Sequence, residues 1–471
     1  MNSTTGPSTL TQDSLKLTGK ALRKKAPRES HADWSPAPGR DPVGILLEQG
    51  ESRVQELLPI RYGRMSASPF AFYRGGAAIM AADLAPTPAT GVRVQACGDA
   101  HISNFGGYAA PDRRLVFDLN DFDETLPAPW EWDVKRMAAS VVIAARHNGA
   151  SKKVARKIVI AAMAEYRDAM RRLADMSYLD VWYTRLDVEQ IAEMLEGAHG
   201  ADAGVNLRKD IAKASRKDSN RATRKLTDES SGEPRFASRP PLLVPARELA
   251  AGLGVSDADA VRDLIRSLMH QYAETLPPDR QHLFGHYQLV DLARKVVGVG
   301  SVGTRAWVML FLSNRRKDPL VLQVKEAQNS VLAPYAGASK FRLQGRRVVE
   351  GQRLTQAASD LFLGWIRAEA PDGVTRDFYV RQLWDGKMSI DIDSLGETGL
   401  TEFVRVCAGA LALAHARTGD RVAISQYLGK KDTFDQAIAE FSIRYAKQNQ
   451  EDFDAFTAEI EAGKIEATPG I

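Results

Sequence analysis

Cysteine is almost missing from this chain. Cys97 and Cys407 are the only 2 in 471 residues. One pair so far apart in sequence makes no disulfide framework, so a reducing, cytoplasmic setting is expected. Long apolar runs are missing too. Nothing approaches the roughly 18 consecutive apolar residues of a membrane-spanning helix, so no membrane partner is expected. The N-terminus carries basic residues with no apolar stretch behind them, which argues against a signal peptide. Neither sign of charge is in large excess. Lys and Arg number 63 against 59 Asp and Glu, a formal net charge of +4. That argues against a dedicated nucleic-acid binder, and no nucleic-acid partner is expected. Internal repeats are absent, and compositional bias is confined to residues 1–40. What remains is ordinary for a globular protein, 44% hydrophobic and 26% charged. The length exceeds one typical domain and suits two lobes around a cleft.

The chemistry concentrates in residues 97–124. Cys97-Gly-Asp-Ala-His-Ile-Ser-Asn-Phe-Gly106 is followed by a turn, then by Leu115-Val-Phe-Asp-Leu-Asn-Asp-Phe-Asp-Glu124. In such a loop Asp99 can accept a proton from an attacking hydroxyl. The Asn104 amide oxygen and the carboxylates of Asp118, Asp121 and Asp123 can hold Mg²⁺ against a triphosphate. Asp121 heads the Asp-Phe pair and is the first choice of metal ligand. His101 either takes part directly or bonds loop carbonyls. The bland alternative is a polar turn between strands, since Asp and Asn favour turns.

A second pattern lies far downstream. Residues 298–303 read Gly-Val-Gly-Ser-Val-Gly, and Leu320-Val-Leu-Gln-Val-Lys325 follows. The glycine pattern alone is weak, because dinucleotide-binding folds share it. There it opens a helix. Here an apolar, β-branched and aromatic stretch follows, then a polar turn at Ser313–Asp318, then the run to Lys325. Strand, turn and strand ending in Lys is the arrangement of a kinase nucleotide lobe. Gly298, Gly300, Ser301 and Gly303 would cover phosphates and Lys325 would pair them. Lys325 could instead snorkel from an edge strand. Glu350, read as opening a helix over 350–365, is the candidate partner for Lys325, or else a solvated Glu favoured by the helix dipole. Arg74, with Arg61 and Arg64, can bind an anionic substrate or pair with the acidic hairpin.

These motifs resemble the protein-kinase-like superfamily, most closely its aminoglycoside and choline kinase branch. There the loop runs His-Gly-Asp-x-His-x-x-Asn and the strand ends Asp-Phe-x-Asp. By that spacing Asp118 lies nearer the usual metal position than Asp121. The order of the pieces differs, because Asp99 precedes Lys325. The resemblance therefore implies an α+β, circularly permuted protein-kinase-like fold. It has a mostly helical catalytic lobe and a smaller antiparallel-sheet nucleotide lobe. In it Asp133 braces the catalytic loop, and Phe403–Ala416 is similar to the helix that leads into that loop. From about residue 40 onward the chain also resembles an uncharacterised bacterial family, domain of unknown function 2252. The matching stretches are Ser68–Gly75, Gly98–Gly106, Asn120–Thr125, Arg347–Arg353 and His415–Asp420. That family name carries no activity.

The expected organisation has four parts. Residues 1–40 form a disordered basic tail. Residues 41–284 hold the catalytic-loop half with a helical insert, including a mobile basic loop at 208–241 and a helix from an N-cap at Ser256 to Thr275. Residues 285–395 make the nucleotide sheet, and 396–471 the closing helices. The expected function is an ATP- and Mg²⁺-dependent phosphotransferase acting on an unknown small-molecule or protein hydroxyl. One rival is a metal-dependent phosphoesterase, because Gly-Asp-x-His also opens two-metal sites, with His282 and His286 as further ligands. Another is a non-catalytic nucleotide-binding scaffold. His415–Asp420 contains a second Gly-Asp, but no Asn or acidic strand follows it.

Overall fold

Four-residue apolar steps build the helical part. Ser151 caps the helix Lys152–Asp175, its hydroxyl accepting from the Val154 amide at 3.2 Å. Ile158, Ala162, Tyr166 and Met170 then form one buried face, which packs on the helix Glu397–Thr418. The helix Trp130–His147 is buried all round, from Trp130 to Ala145, so it is the central post of this lobe. Thr433–Glu461 covers it. The computed structural model describes residues 12–199, 211, 214, 218–228, 233–252, 258–296, 298–315, 318–369, 373–383 and 386–471.

Two short antiparallel pairs sit against that post. Strand β1 (Arg93–Ala96) must reach its partner across the motif loop. Between them β2 (Phe105–Ala109) pairs with β3 (Leu115–Leu119), and β1 pairs with β4 (Leu126–Pro129). Gly98 makes this possible. Its φ is +83°, and a Cβ there would lie 2.4 Å from the Glu124 carbonyl oxygen. Only glycine lets the two ends of the motif touch.

The second lobe is a sheet. After a small hairpin of β5 (Thr227–Asp228) and β6 (Arg235–Phe236) come β7 (Leu243–Pro245), β8 (Tyr287–Lys295), β9 (Ala306–Ser313), β10 (Pro319–Glu326), β11 (Gly364–Glu369) and β12 (Thr375–Gln382). Strands β7 to β12 form one antiparallel six-stranded sheet in the order β11-β12-β10-β9-β8-β7. The molecule is thus mixed α+β. Both sheet faces are apolar. Leu320, Leu322 and Val324 join one cluster with Tyr272 and Phe284, while Val321 joins another with Ala222 and Leu226. Alternation along β10 therefore sends Gln323 and Lys325 to the same side as Val321.

Several boundaries differ from expectation. Residues 12–40 are not a disordered tail: Gln12–Lys25 is helical and Arg28–Ala32 forms a 3₁₀ turn. Arg23 and Arg28 donate to the Tyr427 and Leu428 carbonyls at 2.9 and 2.8 Å. These are open carbonyls at the end of the helix Arg421–Leu428, where cations are favoured. Composition alone reads such arginines as solvated. Residues 1–11 lie outside the described residues. Within 208–241, the described Ser219–Leu226 is a helix capped by Asp218 rather than a loop; residues 208–210, 212–213, 215–217 and 229–232 lie outside. Residue 285 is not the sheet boundary, because β7 pairs with β8 and the helix Ala258–Glu274 packs on β11. Ser256 is outside the described residues. Among those described, no helix is long and apolar enough to cross a membrane.

Candidate active site

Two helices hold the motif loop. Asp133, in the first turn of Trp130–His147, accepts the Cys97 and Gly98 amides at 2.7 and 3.0 Å. His415 of Glu397–Thr418 lies 3.4 Å from the same carboxylate. Arg136, one turn after Asp133, donates to Asp99 Oδ1 at 2.9 Å from Nε, and its Nη2 lies 2.7 Å away. The Asn104 side-chain amide donates to the Asp99 carbonyl at 2.8 Å, which closes the loop. Burial pushes the Asp99 carboxyl above its usual range even with Arg136 beside it. His101 Nε2 is 3.7 Å from Asp99 Oδ2. Burial, with Arg74 and Arg136 nearby, holds His101 well below its ordinary value, so it is neutral.

The acidic end splits three ways. Phe122 is buried in the core, so its two neighbours project into the cleft. Asp123 is saturated: Lys325 Nζ donates to it at 2.6 Å, Ser301 Oγ at 3.2 Å and Tyr379 Oη at 2.6 Å. Burial opposes its charge, but Lys325 and Tyr379 hold its pKa below the usual range. Asp121 lies 3.6 Å from Lys325 Nζ, and its Oδ1 has no hydrogen-bond partner. Asp118 does not join them. It lies inside β3, accepts the Leu119 and Ala357 amides at 2.9 and 3.2 Å, and is pushed up to about 6 by burial.

Lys325 sits directly opposite Tyr379, and Gln323 opposite Arg381, in the β10–β12 register. Burial alone would lower the Lys325 pKa; Asp121 and Asp123 raise it instead. Glu350 is not its partner. The helix runs Gln344–Thr355, with Glu350 turned outward beside Arg346 and Arg353, at 3.9 and 3.7 Å. The inward residue is Arg347. It donates to the carbonyls of Asp123, Thr125 and Gln328 at 2.8, 2.7 and 2.8 Å. The helix thus fixes the acidic turn through its backbone and leaves Lys325 to Asp123.

The Gly298–Gly303 loop joins β8 to β9 as a hairpin turn. Gly298 and Gly303 have φ of +66° and +86°. Arg53 holds the Gly300 and Val302 carbonyls at 2.7 and 2.5 Å, and Arg64 holds that of Gly298. Arg61 is fully buried and bonds Gln49 at 3.2 Å, so it is structural. Arg74 borders the cleft, and its Nε has no hydrogen-bond partner.

Two cavities meet under the loop. The outer, about 480 Å³, is bounded by Lys295, Lys325 and Arg381 and by apolar Tyr108, Leu361 and Leu383. The inner, about 120 Å³, is bounded by Asp99, His101, Asn104 and Arg74. Asp121, Gly298 and Ser301 border both. Among the described residues no group of three or more His, Cys, Asp or Glu forms a metal cage. Asp121 Oδ1, which accepts no hydrogen bond although Lys325 is 3.6 Å away, borders the inner cavity with Asn104 and suits a cation that keeps waters and phosphate oxygens as its other ligands. Sequence reasoning missed Arg53 and Arg381, which border the cavities, and Arg136, Arg347 and Tyr379, which hold Asp99 and Asp123 in place. Only Arg136 had a local signal, three residues after Asp133 on one helix.

Asp420, the rival Gly-Asp, caps the helix Arg421–Leu428 by accepting the Ala423 amide at 2.9 Å. Comparison with curated proteins and with solved structures gives no match. The family model described as "Uncharacterized protein conserved in bacteria (DUF2252)" matches residues 53–459, a span that contains every residue bordering either cavity except Gln49, and the chain belongs to that family.

Proposed function

We propose that this cleft binds Mg²⁺ and ATP and moves the γ-phosphoryl group to a hydroxyl, on a circularly permuted protein-kinase-like scaffold. The observation that carries the reading is the meeting of Lys325 with Asp123 and Asp121, at 2.6 and 3.6 Å, beneath the glycine turn. Lys325 and Asp123 are 202 residues apart in the chain, and each group reads as a phosphate or metal handler from local pattern. The connectivity supports permutation. The helix Glu397–Thr418 ends beside β1, where Thr418 Oγ1 accepts the Gln95 amide at 3.2 Å. A chain opened elsewhere could run from that helix straight into the catalytic loop.

Magnesium ATP, when bound, supplies the phosphoryl group and offsets the charge of the phosphates. The outer cavity falls within the roughly 300–1,000 Å³ of small-molecule sites. Lys325, Arg381 and the glycine-turn amides would hold phosphates there, and Asp121 with Asn104 the metal. Asp99, one loop away, would orient the acceptor hydroxyl and take its proton. Burial holds its carboxyl above the usual range even beside Arg136, so it can accept the proton that leaves late in a loose transition state. Cys97 and Cys407 are free and buried, in keeping with a reducing cytosol. The phosphoesterase ranks behind: His282 and His286 lie edge to face at 5.1 Å and neither borders the cleft.

The test is label transfer in bacterial extract. Label from the γ position of ATP should reach an acceptor with wild type, and about 10²–10⁴ more slowly with Asp99→Asn. Transfer of label from the α position instead, or equal rates in both proteins, would contradict the assignment.

A further inference from the structure

The inner cavity limits what can sit beside Asp99, and the inference below rests on the kinase reading. At about 120 Å³ the space is well under that of drug-sized sites. That suits a molecule of a few carbons. The wall is polar, with Gln49, Arg74, Asn104 and Gln328 among its residues.

Most charges around it are already engaged. Asp99 has Arg136 at 2.7 Å and Asp123 has Lys325 at 2.6 Å. Glu326 accepts the Arg305 amide at 3.0 Å and its guanidinium at 3.2 Å. Arg53 holds the glycine-turn carbonyls. Arg74 differs. The preceding residue, Tyr73, is locked by donating to the Arg136 carbonyl at 2.7 Å, so the backbone there is fixed. Yet the buried Nε of Arg74 has no hydrogen-bond partner. A guanidinium with an unmet donor in a polar cavity suits a carboxylate or phosphate, which arginine can bind through two parallel bonds.

We propose that the inner cavity is the acceptor pocket and that the acceptor is a small alcohol bearing an anionic group, its hydroxyl at Asp99 and its anion on Arg74. Of the other carboxylates at the wall, Glu124 accepts the Val331 amide at 2.7 Å and Asp121 is given to the metal, so Arg74 is the charge left to meet the acceptor and a cationic amino alcohol is disfavoured.

The experiment uses the full chain and follows the thermal midpoint. The shift given by Mg·ADP is measured first, then the further shift by glycerate, glycerol 3-phosphate, glycerol and choline. Glycerate or glycerol 3-phosphate should raise the midpoint saturably, and whichever does so separates carboxylate from phosphate. Glycerol and choline should not. Arg74→Gln should weaken the effective anion about tenfold or more, and Arg74→Lys should recover part of the loss. Should Arg74→Gln fail to fold, the four probes on wild type and on Arg74→Lys still decide. Preference for choline or glycerol, indifference to both anions, or unchanged anion affinity in the variants would overturn the proposal. Indifference to the anions with the Mg·ADP shift intact removes this inference alone. Absence of the Mg·ADP shift in wild type removes the kinase reading and this inference with it.

Discussion

Two buried lysines show that partners, and not burial alone, decide charge in this protein. Lys325 and Lys135 are 2% and 0% exposed. Burial disfavours the ammonium form of both. Lys325 has two carboxylates and stays charged. Lys135, in Trp130–His147, has none within bonding distance. Its Nζ has no hydrogen-bond partner and lies 5.0 Å over the Phe441 ring. Glu131 one turn earlier and His31 from the N-terminal segment are the titratable groups that interact with it. Burial pushes its pKa from 10.5 down to about 7. The folded value lies below the unfolded one, so between about 7 and 10.5 the unfolded chain binds more protons. Stability therefore rises with pH across that window. Lys135→Met keeps the volume and removes the amine. It should be more stable at pH 7 by about 1–3 kcal/mol and should lose that pH slope. Urea unfolding at pH 7 and pH 9 measures both. A less stable variant, or one that keeps the wild-type slope, would contradict the assignment.

At the scale of elements, the helix Gln344–Thr355 carries the clearest contrast between sequence and structure. Local patterns were enough to place the glycine turn before a strand and Lys325 at the end of the next, because alternation and turn residues are local signals. Asp133 as a brace for the loop came from the resemblance to kinases and not from periodicity. Local patterns did not reveal where this helix starts. Its N-cap is Leu343, with no side-chain cap bond, so no Ser, Thr, Asp or Asn marks the boundary. Started at Glu350, the helix aims a carboxylate inward; started at Gln344, it aims Arg347. The register has a direct test. Arg347→Met leaves three loop carbonyls without their donor and should cost about 3–5 kcal/mol, as breaking a buried polar network does. Glu350→Ala on the exposed side should stay within about 0.5 kcal/mol. Denaturant midpoints of the two variants check it, and a reversed order would put Glu350 back as the inward residue. Asp118 failed for a similar reason. Spacing along the chain favoured it, but its place inside β3 turns it into a backbone acceptor for Ala357.

For the whole molecule, the question is how a cleft is made from distant halves of one chain. Residues 97–124 lie on the helical lobe and residues 298–325 on the sheet, and Asp123 joins them through Lys325, Ser301 and Tyr379. The mixed α+β class was legible from the sequence, because helical and strand periods fall in separate stretches of the chain. The ordered N-terminal segment was not, because cations docking on helix-end carbonyls leave no compositional trace. Nor was β7, a strand of three residues far from its partner in sequence. The central claim is that the shared cleft is a Mg²⁺- and ATP-binding site. The most direct measurement is the thermal midpoint of wild type, Asp121→Asn and Lys325→Met, each with and without Mg²⁺ and ATP together. At a hundredfold excess over Kd, binding should stabilise wild type by roughly 2.7 kcal/mol. Both variants should lose most of that gain relative to their own ligand-free forms, and wild type should lose it when Mg²⁺ is chelated. No shift in wild type, or an equal shift in all three proteins with or without Mg²⁺, would contradict the account.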